Sequence, residues 1–146
     1  MELNKILEKG YLKFPEDRVI VFKNKQDVCS LFGKNAVKKG FLESAFYHIN
    51  DNESIWFVKE HTEFENGFIN DFYPDYIKEI RENNQKDFVL SVLKYPNEKR
   101  YVFLKTSNGY EFFGVYSLDV NRSKDSLESD VPTRYWNRVS NEVRFN

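Results

Sequence analysis

The sequence predicts one mixed α+β domain in which short helices flank a barrel or a layered sheet. The length of 146 residues fits a single domain with a buried core. Aromatic residues make up 17% of the chain, which excludes a disordered protein. Residues 101–120 read as two apolar runs joined at Asn108-Gly109, the strongest short-range signal for a β-hairpin.

Both faces of this hairpin are apolar, so both are expected to be covered. A two-residue loop at Asn108-Gly109 would place Phe103 opposite Gly114. Because side chains alternate along a strand, one face then carries an aromatic row with a glycine gap. The members of that face are Tyr101, Phe103, Lys105, Phe112, Gly114 and Tyr116. Such a face is either core or the floor of a ligand pocket, and the sequence leaves both interpretations open.

The N-terminal part, residues 1–40, is predicted to be helical and to pack on a β-barrel core formed by residues 41–146. Helical spacing of Leu3 and Ile6 indicates a first helix, which Gly10 would end. Asn24 can cap a second helix that stops near Gly33.

The other elements follow from hydrophobic alternation and from turn residues. A stretch of 75–82 is predicted to be a short helix, with a strand as the alternative. Residues 61–73 and 121–133 are predicted to be loops, and the length of the second indicates that it is either mobile or functional. Strands are predicted at 18–22, 44–49, 54–60, 88–95 and 134–139.

The composition narrows the class of protein. A net charge of −1 argues against a large non-specific DNA footprint. The single cysteine, Cys29, excludes an internal disulfide, and no apolar run is long enough to span a membrane or to serve as a signal. We therefore expect a cytoplasmic protein without membrane contact. A local basic surface in the first third remains an alternative to an ordinary solvated face, built from Lys23, Lys25, Lys34, Lys38 and Lys39.

No motif predicts catalysis, a metal or a cofactor. His48, His61 and Cys29 are too few for a structural zinc site. The chain has no phosphate-binding loop, no dinucleotide fingerprint and no nucleophile elbow. A small enzyme acting on a nucleotide through His48 or His61 is the least favoured alternative, because it needs a convergent carboxylate.

The last predicted strand carries a more specific pattern. Alternation places Arg134, Trp136 and Arg138 on one face. An aromatic ring between two guanidinium groups can stack on a base while the arginines hold phosphates. The structural alternative is cation–π packing and ion pairing, for example with Glu128 or Glu142.

Several short motifs together resemble a known class of module. They are Trp56-Phe57-Val58-Lys59, Asn66-Gly67-Phe68-Ile69-Asn70, residues 77–82, residues 110–119 and Arg134-Tyr135-Trp136-Asn137-Arg138-Val139-Ser140. In this order they resemble the PUA-like or SRA-like modules that accompany HNH nuclease domains in bacterial restriction proteins. The resemblance covers residues 40–142. It implies a curved, partly open β-barrel with flanking short helices. It also implies a role in reading nucleic acid, often a flipped or modified base held between aromatic side chains.

We therefore expect a non-catalytic module that binds nucleic acid or a modified base, with DNA or a nucleotide-like ligand as partner, in a restriction-modification or phage-defence setting. The expected ligand-binding residues are Trp56, Asn66, Asn70, Tyr101, Phe112, Tyr116, Asp119 and Trp136. Arg134 and Arg138 are expected to hold phosphate. The alternative is a phage or bacterial accessory or inhibitor protein that acts by binding a host or defence-system protein.

Overall fold

The computed structural model describes residues 3–33 and 45–145. Four helices lie in these ranges: α1 (Leu3–Lys9), α2 (Lys25–Leu31), α3 (Gln85–Leu93) and α4 (Val120–Asp125). Two 3-10 turns lie at Glu16–Val19 and Ser126–Glu128. The strands are β1 (Tyr11–Lys13), β2 (Phe46–Asn50), β3 (Glu53–Val58), β4 (His61–Glu65), β5 (Phe68–Phe72), β6 (Tyr76–Arg81), β7 (Lys99–Thr106), β8 (Gly109–Leu118), β9 (Arg134–Ser140) and β10 (Glu142–Arg144).

Eight of these strands form one sheet in the order β2-β3-β7-β8-β9-β6-β5-β4. All neighbours are antiparallel except β3 and β7, which run parallel. Strands β2 and β4 are the edges within the described residues, so the sheet is open and not closed into a barrel. The predicted mixed α+β class with flanking short helices is confirmed, and the predicted partly open β-barrel takes the form of an open, curved sheet.

The sheet curves back on itself so strongly that distant strands touch. Trp56 on β3 and Trp136 on β9 have ring centroids 6.0 Å apart, although β7 and β8 lie between them in the sheet. Arg100 on β7 reaches Glu79 on β6 across the same concavity. Curvature of this kind follows from the right-handed twist of the strands and from bulges in them.

A second, two-stranded sheet of β1 and β10 brings the two ends of the chain together. Leu12 on β1 and Val143 on β10 are buried in the same core cluster as Ile6 of α1 and Phe112 of β8. The N-terminal helices therefore share one hydrophobic core with the concave sheet. None of the helices in the described ranges combines the length and the apolarity that crossing a bilayer requires.

The central hairpin exists, but its predicted register is wrong. Thr106 pairs with Gly109 and Phe103 pairs with Phe112, so the two-residue loop is Ser107-Asn108. A bulge at Phe113 then shifts the pairing, and Val102 lies opposite Gly114. A bulge inserts one residue and turns the rest of the strand over. Two core clusters result, one holding Phe103, Phe112 and Val115 and the other holding Val102, Phe113 and Tyr116.

Five local predictions are corrected by the structure. Residues 18–22 contain the end of a 3-10 turn and not a strand. The stretch at 75–82, predicted as a helix with a strand as the alternative, is strand β6, in which Ile77 and Glu79 both point inward. The stretch predicted as a strand at 88–95 lies largely in α3, because Phe88, Val89 and Val92 follow helical spacing. The predicted loop at 61–73 is the β4–β5 hairpin, and the predicted loop at 121–133 contains α4 and a 3-10 turn.

Helix α2 shows the predicted cap and stop. The Asn24 side chain accepts a hydrogen bond from the Asp27 backbone N–H at 2.9 Å. Gly33 adopts a φ of +89°, which suits a glycine just beyond a helix.

Of the predicted basic surface, Lys34, Lys38 and Lys39 lie outside the described residues, as does the first residue of the strand predicted at 44–49.

Cys29 on α2 is expected to be chemically inert in the folded protein. It is fully buried, and this burial raises the pKa of its thiol to about 11. The thiolate is the reactive form, so the native thiol should react only slowly with an aromatic disulfide reagent at pH 8. The expected result is slow labelling in buffer and rapid labelling in denaturant, followed by absorbance. Rapid labelling of the native protein would contradict the buried position of Cys29.

Candidate functional site

A pocket of about 420 Å³ opens where the two halves of the curved sheet face each other. We call it the sheet pocket. Its aromatic lining comes from β2, β3, β5, α3 and the turn after α3, and consists of Phe46, Trp56, Phe57, Phe68, Phe88 and Tyr95. Its polar lining consists of His48, Asn70, Glu79, Ser91, Glu98, Arg100 and Arg134. The combination of apolar walls with a few converging polar groups is typical of a small-molecule site.

One polar row crosses three neighbouring strands of the sheet. Asn70 on β5 pairs with Glu79 on β6, and Glu79 pairs with Arg134 on β9. Paired residues in an antiparallel sheet point to the same face, and their Cβ atoms lie about 5 Å apart. The register of the three strands therefore places these side chains side by side on one wall of the sheet pocket.

Arg100 approaches from the opposite half of the sheet and closes the floor. Its guanidinium donates from Nε to Glu98 at 2.7 Å and from Nη1 to Glu79 at 3.4 Å. The same group lies 3.9 Å from the centroid of the Trp136 ring and 4.9 Å from that of Trp56. Cation–π contacts of this kind strengthen when they are shielded from water, so Arg100 joins the two halves of the sheet.

Glu79 is the hub of this buried network. Its Oε1 accepts from Trp136 Nε1 at 3.0 Å and from the Nη1 atoms of Arg100 and Arg134, each at 3.4 Å. Two arginines and two glutamates line the sheet pocket, so the formal charge of this set is zero. A pocket with balanced charges and aromatic walls suits a flat, uncharged ligand better than a free phosphate.

The guanidinium of Arg134 donates all of its described hydrogen bonds to groups of the protein itself. Its Nε donates to the Phe88 carbonyl at 2.9 Å and its Nη2 donates to Ser91 Oγ at 3.0 Å. Its side chain is 11% exposed, and this burial lowers the pKa of the guanidinium while Glu79 opposes that shift. Each guanidinium nitrogen thus has a partner, since Nη1 faces Glu79. Arg134 shapes the pocket wall.

Asn70 lines the sheet pocket from β5 and keeps an open hydrogen-bonding position. Its Oδ1 is buried and has no donor among the described residues. An acceptor left in this state costs about 1–3 kcal/mol, which a ligand donor could recover. Asn70 Oδ1 can therefore accept a hydrogen bond from a ligand that carries an N–H or an O–H.

The structure brings three of the ten sequence-predicted site residues to the sheet pocket, namely Trp56, Asn70 and Arg134. Trp136 lies directly behind the floor, fully buried and bonded to Glu79. Phe112 and Tyr116 are also fully buried, in the two different core clusters.

The other four predicted residues lie elsewhere. Asn66 lies in the turn of the β4–β5 hairpin with a φ of +54°. Tyr101 stacks on Phe32 and donates its hydroxyl hydrogen bond to Glu53. Asp119 caps α4 by accepting from the Arg122 N–H at 3.0 Å.

Arg138 fills the gap that Gly114 leaves in the hairpin. A Cβ at Gly114 would lie 2.9 Å from Arg138 Nε, so the missing side chain makes room for the arginine and not for a ligand. The Arg138 guanidinium donates to the carbonyls of Pro74 and Phe113 and lies 4.2 Å from the centroid of Phe14.

Sequence reasoning missed most of the polar floor. Glu79, Glu98 and Arg100 carried no motif, and Glu79 was assigned to a predicted helix. Reading residues 76–81 as a strand would have placed Glu79 inward beside Ile77, and an inward carboxylate in a strand is a signal that it has a buried partner. Tyr95 gave no signal beyond its position before Pro96.

The chain belongs to the SRA family, the SET and RING associated domain, whose sequence profile matches residues 5–145. Among solved structures it is similar to one described as the 5-hydroxymethylcytosine-specific restriction enzyme AbaSI, with a TM-score of 0.68 and 22% sequence identity. That match covers 99% of this chain and 45% of the AbaSI chain, and at this identity it shows a shared fold. The search of curated proteins gave no match. The SRA-like resemblance seen in the sequence is confirmed.

Proposed function

We propose that this protein is a non-catalytic module that binds DNA carrying a modified base and takes that base out of the duplex into the sheet pocket. SRA domains bind modified bases in DNA by base flipping. The similar solved structure belongs to a 5-hydroxymethylcytosine-specific enzyme, so 5-hydroxymethylcytosine is the first ligand to test. The proposal keeps the expected cytoplasmic location and DNA as the partner.

The observation that carries the proposal is the form of the sheet pocket. Its volume of about 420 Å³ lies in the range typical of small-ligand sites, and its lining arginines and glutamates balance in charge. A flipped base is flat and uncharged, and it gains from aromatic contact on its faces and from hydrogen bonds along its edge. Both kinds of contact converge in this pocket.

The polar groups of the pocket suit a base edge that donates hydrogen bonds. Asn70 Oδ1 has no donor among the residues that the structure describes, and the carboxylates of Glu79 and Glu98 lie on the same lining. The 4-amino group of a cytosine and the hydroxyl of a hydroxymethyl substituent are both donors. In this proposal the phosphate role expected for Arg134 and Arg138 passes to other surface groups, because both guanidinium groups are bonded within the protein.

Replacing Asn70 tests the pocket directly. We expect Asn70→Ala to weaken binding of a duplex with one 5-hydroxymethylcytosine about tenfold, because the variant loses one buried hydrogen bond to the base. Fluorescence anisotropy with labelled duplexes gives the affinity, and thermal unfolding checks that the variant folds.

The matched control is Asn66→Gly, which changes an asparagine in a turn away from the sheet pocket and keeps its left-handed backbone. We expect this control to bind like the wild type. Wild-type protein that binds 5-hydroxymethylcytosine, 5-methylcytosine and unmodified duplexes with equal affinity, or binds none of them, would contradict the proposed function.

A further inference from the structure

An exposed tyrosine stands at the rim of the sheet pocket. Tyr95 is 59% exposed, although it lines the sheet pocket through part of its surface. It also lines a second concavity beside the β2–β3 turn, which includes His48 and Asp51. A side chain that borders two adjoining concavities and still faces solvent lies on the ridge between them.

The side chain of Tyr95 makes no polar or ring contact with the described part of the chain. Its hydroxyl makes no hydrogen bond there, and its ring has no aromatic or cationic neighbour. Leaving a large ring exposed is ordinary for one isolated residue. Tyr95 differs from such an isolated residue because it lies at the rim of a pocket that a base enters in the proposed function. A solvent-exposed ring at that position can contact the bases next to the flipped one.

The backbone that carries Tyr95 is held firmly. The Tyr95 N–H donates to the Val92 carbonyl at 3.0 Å, and the Glu98 N–H donates to the Tyr95 carbonyl at 3.2 Å. Pro96 follows directly and restricts the backbone further. Glu98 at the end of this turn ion-pairs with Arg100 in the pocket floor. The ring is therefore presented from an ordered turn that is tied to the pocket itself.

We propose that Tyr95 is a positioning residue that enters the base stack at the place vacated by the flipped base. This inference rests on the proposed function. Taking a base out of a duplex costs a few kcal/mol in lost pairing and stacking. Side chains inserted between base steps are a known means of stabilising such a distorted duplex, and a tyrosine ring can stack on the exposed neighbouring bases.

The role of Tyr95 predicts a difference between two DNA ligands. We expect Tyr95→Ala to weaken binding of a fully paired 5-hydroxymethylcytosine duplex about tenfold, the equivalent of one lost stacking contact. The same variant should bind a single strand with the same modified base less than about twofold more weakly, because a single strand leaves no gap to fill. Tyr95→Phe should behave like the wild type on both ligands, since the ring and not the hydroxyl does the stacking.

A base analogue gives an independent measurement. With 2-aminopurine beside the modified base and saturating protein, wild-type protein should raise the fluorescence only slightly, because the Tyr95 ring stacks on the analogue, and Tyr95→Ala should raise it more, because the gap stays open. The matched control is Leu90→Ala, an exposed apolar residue on α3 that is not part of the pocket lining. It should leave both affinities and the fluorescence unchanged.

Three results would overturn the inference. An equal loss on paired and single-stranded DNA would mean that Tyr95 contacts the flipped base itself. No loss on either ligand would mean that the ring stays away from DNA. Failure of wild-type protein to bind any modified oligonucleotide would reject the proposed function and the Tyr95 role together, and this outcome is distinguishable because it appears before any substitution is made.

Discussion

Substituting Glu79 by glutamine is expected to reduce the free energy of unfolding by about 3–5 kcal/mol, the usual effect of removing one partner from a buried ion pair. Glu79 is almost fully buried and accepts from Arg100, Arg134 and Trp136. A neutral amide of similar size keeps one acceptor but removes the negative charge. Arg100 would retain Glu98, whereas Arg134 would lose its carboxylate partner. Urea unfolding followed by tryptophan fluorescence measures the change.

The control for this substitution is a glutamate whose ion-pair partners are exposed to solvent. Glu142 pairs with Arg144 and Lys13 near the surface, so Glu142→Gln should change the unfolding free energy by less than about 1 kcal/mol. The Glu79 variant, if it folds at low denaturant, should also bind modified DNA more weakly, because the pocket floor loses the group that orients both arginines. A Glu79 variant as stable as the wild type would show that the buried network does not hold the two halves of the sheet together.

The second large effect is expected at Gly109, where Gly109→Ala should cost about 2–4 kcal/mol through backbone strain and lost hydrogen bonds. Gly109 has a φ of +142°, and an added Cβ would overlap the carbonyl oxygen of Phe22 and lie 3.0 Å from Val21 Cγ1. Phe22 and Tyr110 exchange two backbone hydrogen bonds of 2.8 Å at this point. The overlap is with backbone and cannot be relieved by turning a side chain. Thermal or urea unfolding gives the measurement.

Gly67 provides the comparison, because it has a similarly unusual backbone in open space. Its φ is +87°, and no neighbouring atom in residues 3–33 and 45–145 lies within 4 Å of an added Cβ. Gly67→Ala should therefore cost only the strain of the left-handed conformation, about 1 kcal/mol. Similar losses at Gly67 and Gly109 would mean that the close approach of Phe22 contributes nothing, which would contradict the contact between the N-terminal segment and the central hairpin.

The sequence was sufficient for the fold class and for the central hairpin, because hydrophobic alternation and turn residues act locally. It failed on the hairpin register, because Gly109 lies in β8 where the Phe22 carbonyl approaches closely and is not part of the two-residue loop, and because a bulge at Phe113 shifts the pairing again. It also favoured a helix over the alternative of a strand where β6 forms, and it predicted a strand where α3 forms. Short amphipathic segments satisfy both periodicities, and tertiary packing decides between them.

The candidate site was predictable only in part. Trp56, Asn70 and Arg134 drew attention through residue type and resemblance. Glu79 and Arg100 did not, because their meeting depends on the curvature that folds β7 over β6. The fully buried rings of Phe112 and Tyr116 show the complementary problem. An aromatic face in a sequence looks the same whether it lines a pocket or fills a core, and only the three-dimensional packing separates the two.

The parallel pairing of β3 with β7 has a consequence for how the pocket can be altered. Residues 59–98 connect these two paired strands and contain β4, β5, β6 and α3. The chain thus leaves the sheet position next to β3 and returns to it after this excursion. This excursion contributes Phe68, Asn70, Glu79, Phe88, Ser91, Val92, Tyr95 and Glu98 to the pocket. More than half of the pocket lining therefore comes from one continuous segment of the sequence. Grafting the corresponding segment of another SRA domain between β3 and β7 should transfer ligand preference in one step, provided that the graft preserves the pairing of β6 with β9.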